Sequence, residues 1–171
     1  MEDDLILVTK NDVPIGTMEK LLAHQLGKLH RAFSVFIFNK NGELLIQQRA
    51  FHKYHSAGQW ANSCCSHPKP NEDTLKAAQR RLQEELGFTT ELNHVGSLIY
   101  HAKVSGGLIE HEYDHLFIGY YDADFEPNAD EVAATRWINI HQLNHEVNTN
   151  SEQFTPWLKK ILEKYPLLKF S

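Results

Sequence analysis

Between Cys65 and Gly87 the chain carries a thiol, an imidazole and two adjacent carboxylates in one loop-helix unit, and no other segment limits the possible folds as strongly. Cys65-Ser66-His67-Pro68 leads through a polar loop to Asp73, and from Thr74 the apolar residues recur with helical spacing as far as Gly87. On a helical wheel Leu75, Ala78, Leu82 and Leu86 form the buried stripe. Arg81 and Glu85 flank one edge of it and Glu84 lies nearly opposite, so Glu85 is the carboxylate aimed at protein. Arg80–Glu84 and Arg81–Glu85 also have the spacing of ordinary i,i+4 ion pairs on a surface helix. The thiol, imidazole and carboxylates can bind metal and move protons if the rest of the chain supplies partners.

The flanking sequence predicts an α+β fold. Strands are expected over residues 5–8 and 32–38, the latter apolar on both faces, and over 43–49 after an Asn39-Lys40-Asn41-Gly42 turn. A brief helix is expected over 18–23, ending near Gly27, and a loop over 50–62. Further strands fall near 92–103, 109–121 and 134–137, and a last helix over 152–164 aligns Phe154, Trp157, Leu158, Ile161 and Leu162. No repeat or linker divides the chain, so its 171 residues read as a single domain over 1–171 with a strand-helix extension over 1–29.

A net charge of −5 without a basic stripe argues against nucleic acid, and no apolar run approaches the ~20 residues of a membrane span. The acidic start Met1-Glu2-Asp3-Asp4 is unlike a secretory leader and points to the cytoplasm. Cys64 and Cys65 are adjacent, with Cα atoms about 3.8 Å apart, too close for an unstrained disulfide, so free thiols are the default; the sequence does not fix the oligomeric state, and a monomer is expected. Adjacent side chains of an extended segment diverge, so only one of the two thiols joins His67 on one face.

Eleven histidines invite a search for metal ligands. In the strand over 109–118, Glu110, Glu112 and Asp114 share a face, with Glu110 and Glu112 about 7 Å apart at the backbone. They either converge on one cation or form the solvated face of a half-buried strand. His24 and His30, six apart, fit no structural zinc finger, while Cys64, Cys65, His67 and a further histidine would make a closed zinc site.

Ser66-x5-Glu72-x7-Arg80-Arg81-Leu82-x-Glu84-Glu85-x-Gly87-Phe88 resembles the Nudix box, which usually opens with glycine and has glutamate where Arg81 stands. The resemblance implies an α/β/α sandwich around a mixed sheet. Arg81 removes one of the carboxylates with which hydrolases of that family gather cations. Trp60-Ala61-Asn62-Ser63-Cys64-Cys65-Ser66-His67-Pro68, with His24, His30-Arg31-Ala32-Phe33 and Glu110-His111-Glu112, is similar to the type I isopentenyl-diphosphate isomerases over most of the chain.

That resemblance implies interconversion of isopentenyl and dimethylallyl diphosphate through a carbocation-like intermediate. It implies proton transfer by Cys65 and Glu112 assisted by Tyr100. His24, His30, His67, Glu110 and Glu112 would hold Mn²⁺, Mg²⁺ or Zn²⁺, and Glu85 would hold a second Mg²⁺ on the substrate diphosphate. Lys20, Arg49, Lys53 and Arg81 would meet that diphosphate, Trp157 would shelter the cation with its aromatic face, and Phe33 would form a pocket wall. Two other readings remain open: a Nudix hydrolase of another diphosphate, against which Arg81 argues, and a metal-stabilised binding module without turnover.

Overall fold

The computed structural model describes residues 4–53 and 55–170; Met1, Glu2 and Asp3, the start of the acidic segment, lie outside them. Nine strands form one mixed sheet: β1 (Asp4–Val8), β2 (Pro14–Glu19), β3 (His30–Phe38), β4 (Leu44–Arg49), β5 (Trp60–Ala61), β6 (Cys64–Ser66), β7 (Asn93–Val104), β8 (Leu108–Tyr120) and β9 (Val132–Ile138). Four helices accompany them: α1 (Lys20–Leu26), α2 (Thr74–Leu86), α3 (Ile140–Thr149) and α4 (Pro156–Lys164).

Alternation along β3 builds the layers. Phe33, Val35 and Ile37 point to the face covered by Ala77, Ala78, Leu82 and Leu86 of α2. Phe36 points the other way, joining Leu44 and Ile46 beneath Leu143 of α3 and Leu158 and Ile161 of α4. The result is the α/β/α sandwich that the box implied. β3 also organises the site, because it pairs antiparallel with β6 (Ser34↔Cys65) and parallel with β8 (His30↔Glu112).

The α2 helix starts where Asp73 accepts the Lys76 amide at 3.1 Å and stops at Gly87, whose φ of +80° suits glycine. A Cβ at Gly87 would also collide with the Glu126 carbonyl oxygen. Before the helix, Arg80 grips both oxygens of Glu72 (2.8 and 2.9 Å), fixing the loop that follows the cysteines.

Several expectations change. Leu75 is exposed at the first turn while Ala77 joins Ala78, Leu82 and Leu86 in the buried stripe. The first helix is Lys20–Leu26; Met18 belongs to β2, and Glu19 caps the helix by accepting the Leu21 and Leu22 amides at 2.9 Å. The last helix begins at Pro156 after a short 3-10 turn at Ser151–Gln153. α3 and the short β2, β5 and β6 had no strong periodicity to announce them.

Candidate active site

A cavity of about 440 Å³ opens at the end of the sheet where β4, β6, β8, α1, α2 and α4 meet. One side of its rim is cationic. Lys20, Arg49, Lys53 and Arg81 all line it, and the Lys20 ammonium is depressed first by burial and then by the charges of Lys53, Arg49 and Arg81. Arg49 Nε is buried with no hydrogen-bond partner among the described residues. Crowded cations of this kind suit an anionic ligand.

Glu85 and Glu131 face these cations. Arg81 donates to Glu85 Oε2 from Nε (3.2 Å) and Nη2 (2.8 Å), and Gln47 donates to Glu85 Oε1 at 2.9 Å. Glu131 accepts from Lys53 and lies 3.5 Å from Arg81 Nη2. The i,i+4 pair read from the sequence therefore exists, but Glu85 is buried at the cavity wall while Glu84 stays exposed.

Deeper in lie the two proton-transfer candidates. Cys65 leaves β6 toward the cavity and Cys64 toward the apolar layer under α2, as divergence of adjacent side chains requires. Cys65 Sγ accepts from Trp157 Nε1 at 3.0 Å and donates to Asn62 Oδ1 at 2.9 Å. Burial pushes both thiols up. With Cys64 sealed in the core, the closed zinc site of Cys64, Cys65 and His67 does not form.

Glu112 accepts the Tyr100 hydroxyl on Oε1, and its Oε2 lies 3.2 Å from His30 Nε2 and 2.8 Å from His67 Nε2. Burial opposes ionisation of Glu112, but the contacts it makes, His30 foremost and Tyr100 among them, outweigh it and hold the carboxyl below its ordinary value. Tyr100, buried beside that carboxylate, is pushed well above its ordinary value and remains a donor. Asp114 is driven the other way, by burial and then by the Glu112 charge, and takes a hydrogen bond from Ser34 at 2.8 Å.

The ligand atoms of His24, His30, His67, Glu110 and Glu112 all lie within 4.8 Å of one another, four of the five residues being fully buried. His24 Nδ1 lies 2.7 Å from the Lys20 carbonyl and His30 Nδ1 2.8 Å from that of Lys28. A carbonyl only accepts, so each Nδ1 carries a hydrogen and Nε2 is the atom turned toward the carboxylate oxygens, where it would offer a lone pair to a cation. Lone pairs converging on anions fit a divalent cation. Burial opposes protonation of His24 but Glu110 outweighs it and raises its pKa, so a proton competes with a cation there. The solvated-face reading of Glu110 and Glu112 is thereby overturned, since both are buried.

Trp157 closes the apolar end, packed with Tyr100 and Ala61 and against Cys65 and Leu98. The Arg49 guanidinium lies 5.2 Å from its ring centre. Phe33 is not a pocket wall: it sits on the odd face of β3, in the core beneath α2. Sequence reasoning missed Asn62, Gln47, Glu131 and His55. His55 Nε2 lies 3.3 Å from Glu110 Oε1, and burial lowers its pKa to about 3. Asn62 lies within the Trp60–Pro68 segment but the sequence assigns it no role there; the other three are marked only by their proximity to named residues, visible after folding.

A helix bringing Glu85 to a cavity at the end of such a sandwich is the arrangement of a NUDIX domain, and the NUDIX domain family model matches residues 28–158. DR0079 of Deinococcus radiodurans has a similar fold (TM-score 0.77, 17% identity, covering 97% of this chain and 99% of that one), as does a MutT protein of Methanosarcina mazei (TM-score 0.67, 18% identity, covering 81% and 93%). The chain is 52% identical to the isopentenyl-diphosphate Delta-isomerase of Serratia proteamaculans, covering 95% of this chain and 91% of that protein, and 48% identical to that of Burkholderia multivorans, covering 96% and 93%. It belongs to the isopentenyl-diphosphate Delta-isomerase family.

Proposed function

We propose that the chain interconverts isopentenyl diphosphate and dimethylallyl diphosphate. The observation that carries this reading is the pairing of a thiol and a carboxylate, each held by its own aromatic donor, in a cavity with an apolar end and a cationic rim. Family membership gives the substrate. Moving the double bond requires a proton added at the terminal alkene carbon and one removed two carbons away. Cys65 and Glu112 are the groups we assign to these transfers, with Tyr100 donating to Glu112.

Lys20, Arg49, Lys53 and Arg81 bind and orient the diphosphate, drawing Lys53 and Arg81 away from Glu131 as they do so. Trp157 presents a face to the positively charged intermediate and keeps water from it. His24, His30, His67, Glu110 and Glu112 hold a divalent cation, for which Mn²⁺, Mg²⁺ and Zn²⁺ all suit nitrogen and oxygen donors. When bound, that ion sets the proton affinity of the Glu112 carboxylate. Glu85 accompanies a Mg²⁺ brought with the diphosphate.

Arg81 argues against hydrolysis because its guanidinium fills the place of a cation-gathering glutamate and already neutralises Glu85. Among the described residues no helix is long and apolar enough to cross a membrane; the free thiols favour a cytoplasmic setting. The test is turnover of isopentenyl diphosphate with Mg²⁺ in heavy water. Conversion with deuterium entering the product supports the reading, and absence of both conversion and label across a metal screen overturns it.

A further inference from the structure

Asn62 lies in the two-residue turn between β5 and β6, fully buried, and its side chain is committed at both ends. A primary amide has two N–H donors and one acceptor oxygen. Asn62 Nδ2 donates to the Val35 carbonyl at 2.9 Å and to the Cys64 carbonyl at 3.2 Å. Carbonyl oxygens cannot donate, so rotating the amide by half a turn would set Oδ1 against two acceptors. The orientation is thereby fixed by its partners, and Oδ1 is left facing Cys65 Sγ at 2.9 Å.

An amide oxygen only accepts, so the hydrogen between it and the sulfur is the thiol's own. On its other side the sulfur receives the Trp157 Nε1 hydrogen at 3.0 Å. Of these two neighbours one supplies a donor and the other an acceptor, and they come from different elements, the β5–β6 turn and α4; the Ser34 hydroxyl of β3 lies beside the same thiol. The thiol hydrogen is otherwise free to rotate among three staggered positions about Cβ–Sγ.

We propose that Asn62 is a positioning residue for the isomerisation, holding the Cys65 thiol hydrogen on its amide oxygen and so fixing the orientation in which the sulfur meets the substrate. This rests on the isomerase reading above. Were Asn62 only a stitch between β3 and β6, its two donors would suffice and its oxygen could face any donor. Instead the oxygen is directed at the thiol that faces the cavity.

The test reads the S–H stretch of Cys65 by infrared spectroscopy in Cys64→Ala protein, where Cys65 is the only thiol. With Asn62 intact the band should lie at the lowered frequency of a hydrogen-bonded thiol, and Asn62→Ala should return it to the free position. In the same proteins Asn62→Ala should lower kcat by about tenfold or more while KM stays within about twofold. Asn62→Asp keeps an oxygen toward the sulfur and, with its carboxyl hydrogen standing in for one of the two donors, should recover part of the lost kcat.

A free-thiol band with Asn62 intact overturns the proposal whether or not any Asn62 variant folds. So does Asn62→Ala with unchanged kcat, or equal loss in both variants with an unmoved band. Failure of the isomerase reading is separate: it appears as absence of turnover in the protein with native Asn62, wherever the band lies.

Discussion

His30 and Glu112 are partners across the parallel pair of β3 and β8, their Nε2 and Oε2 atoms 3.2 Å apart although 82 residues separate them in the chain. The same carboxylate accepts from Tyr100, its antiparallel partner on β7. Glu112 thus stands between a histidine cluster and an apolar pocket, and a change there disturbs both.

The proton-transfer assignment separates the two adjacent cysteines. Cys65→Ala and Glu112→Gln should each reduce kcat by roughly 10²- to 10⁴-fold, the range of a lost acid–base group. Cys64→Ala, which trims a side chain in the core, should keep most of the activity. Steady-state kinetics on the three variants decides; equal losses at both cysteines would point to packing instead.

His67→Ala should lower bound metal together with rate, because it removes one of five converging donors. Elemental analysis after dialysis measures this directly. Unchanged metal content would remove His67 from the ligand set.

Arg81→Ala leaves Glu85 buried without its guanidinium partner. We expect a loss of about 2 kcal/mol in stability, less than for a fully enclosed pair because Arg81 remains partly exposed. The KM for the diphosphate substrate should rise by about tenfold or more. Chemical denaturation and kinetics measure the two effects independently, and an unchanged KM would place Arg81 outside the diphosphate cradle.

Glu72 gives a pH-dependent term. Its carboxyl is held below the ordinary value chiefly by the hydrogen bonds from Arg80, against partial burial. A depressed folded-state pKa adds stability above the unfolded value, and that stability is lost as pH falls through the folded one. Glu72→Gln should therefore cost on the order of 1 kcal/mol at neutral pH, with the gap to the native protein closing below about pH 4. A gap equally wide in acid would show that the Arg80 contact is not electrostatic.

The box helix was legible because its start after Asp73, most of its stripe and its terminal glycine are set locally. The shared face of Glu110, Glu112 and Asp114 was legible too, since strand alternation fixes it. Its burial was not. β8 buries its carboxylates and turns Ile109, His111 and Tyr113 to the half-exposed side, the reverse of the usual pattern, because imidazoles from α1, β3 and the loop after β6 receive the charge. That reversal depends on residues some 45 to 86 positions away, beyond the reach of any local pattern. Phe33 was misplaced for a related reason: both faces of β3 are apolar, and only the tertiary packing distinguishes the α2 side from the cavity side.

The parallel β3–β8 pair also has a consequence for how the molecule comes into being. Loops that join distant strands close slowly, and the three histidines emerge from synthesis long before Glu110 and Glu112 follow. Until β8 docks, α1 lacks the strand it packs against and the site lacks both of its carboxylates. A cation held by these five residues should therefore be acquired only as β8 docks, at the end of folding rather than at its beginning.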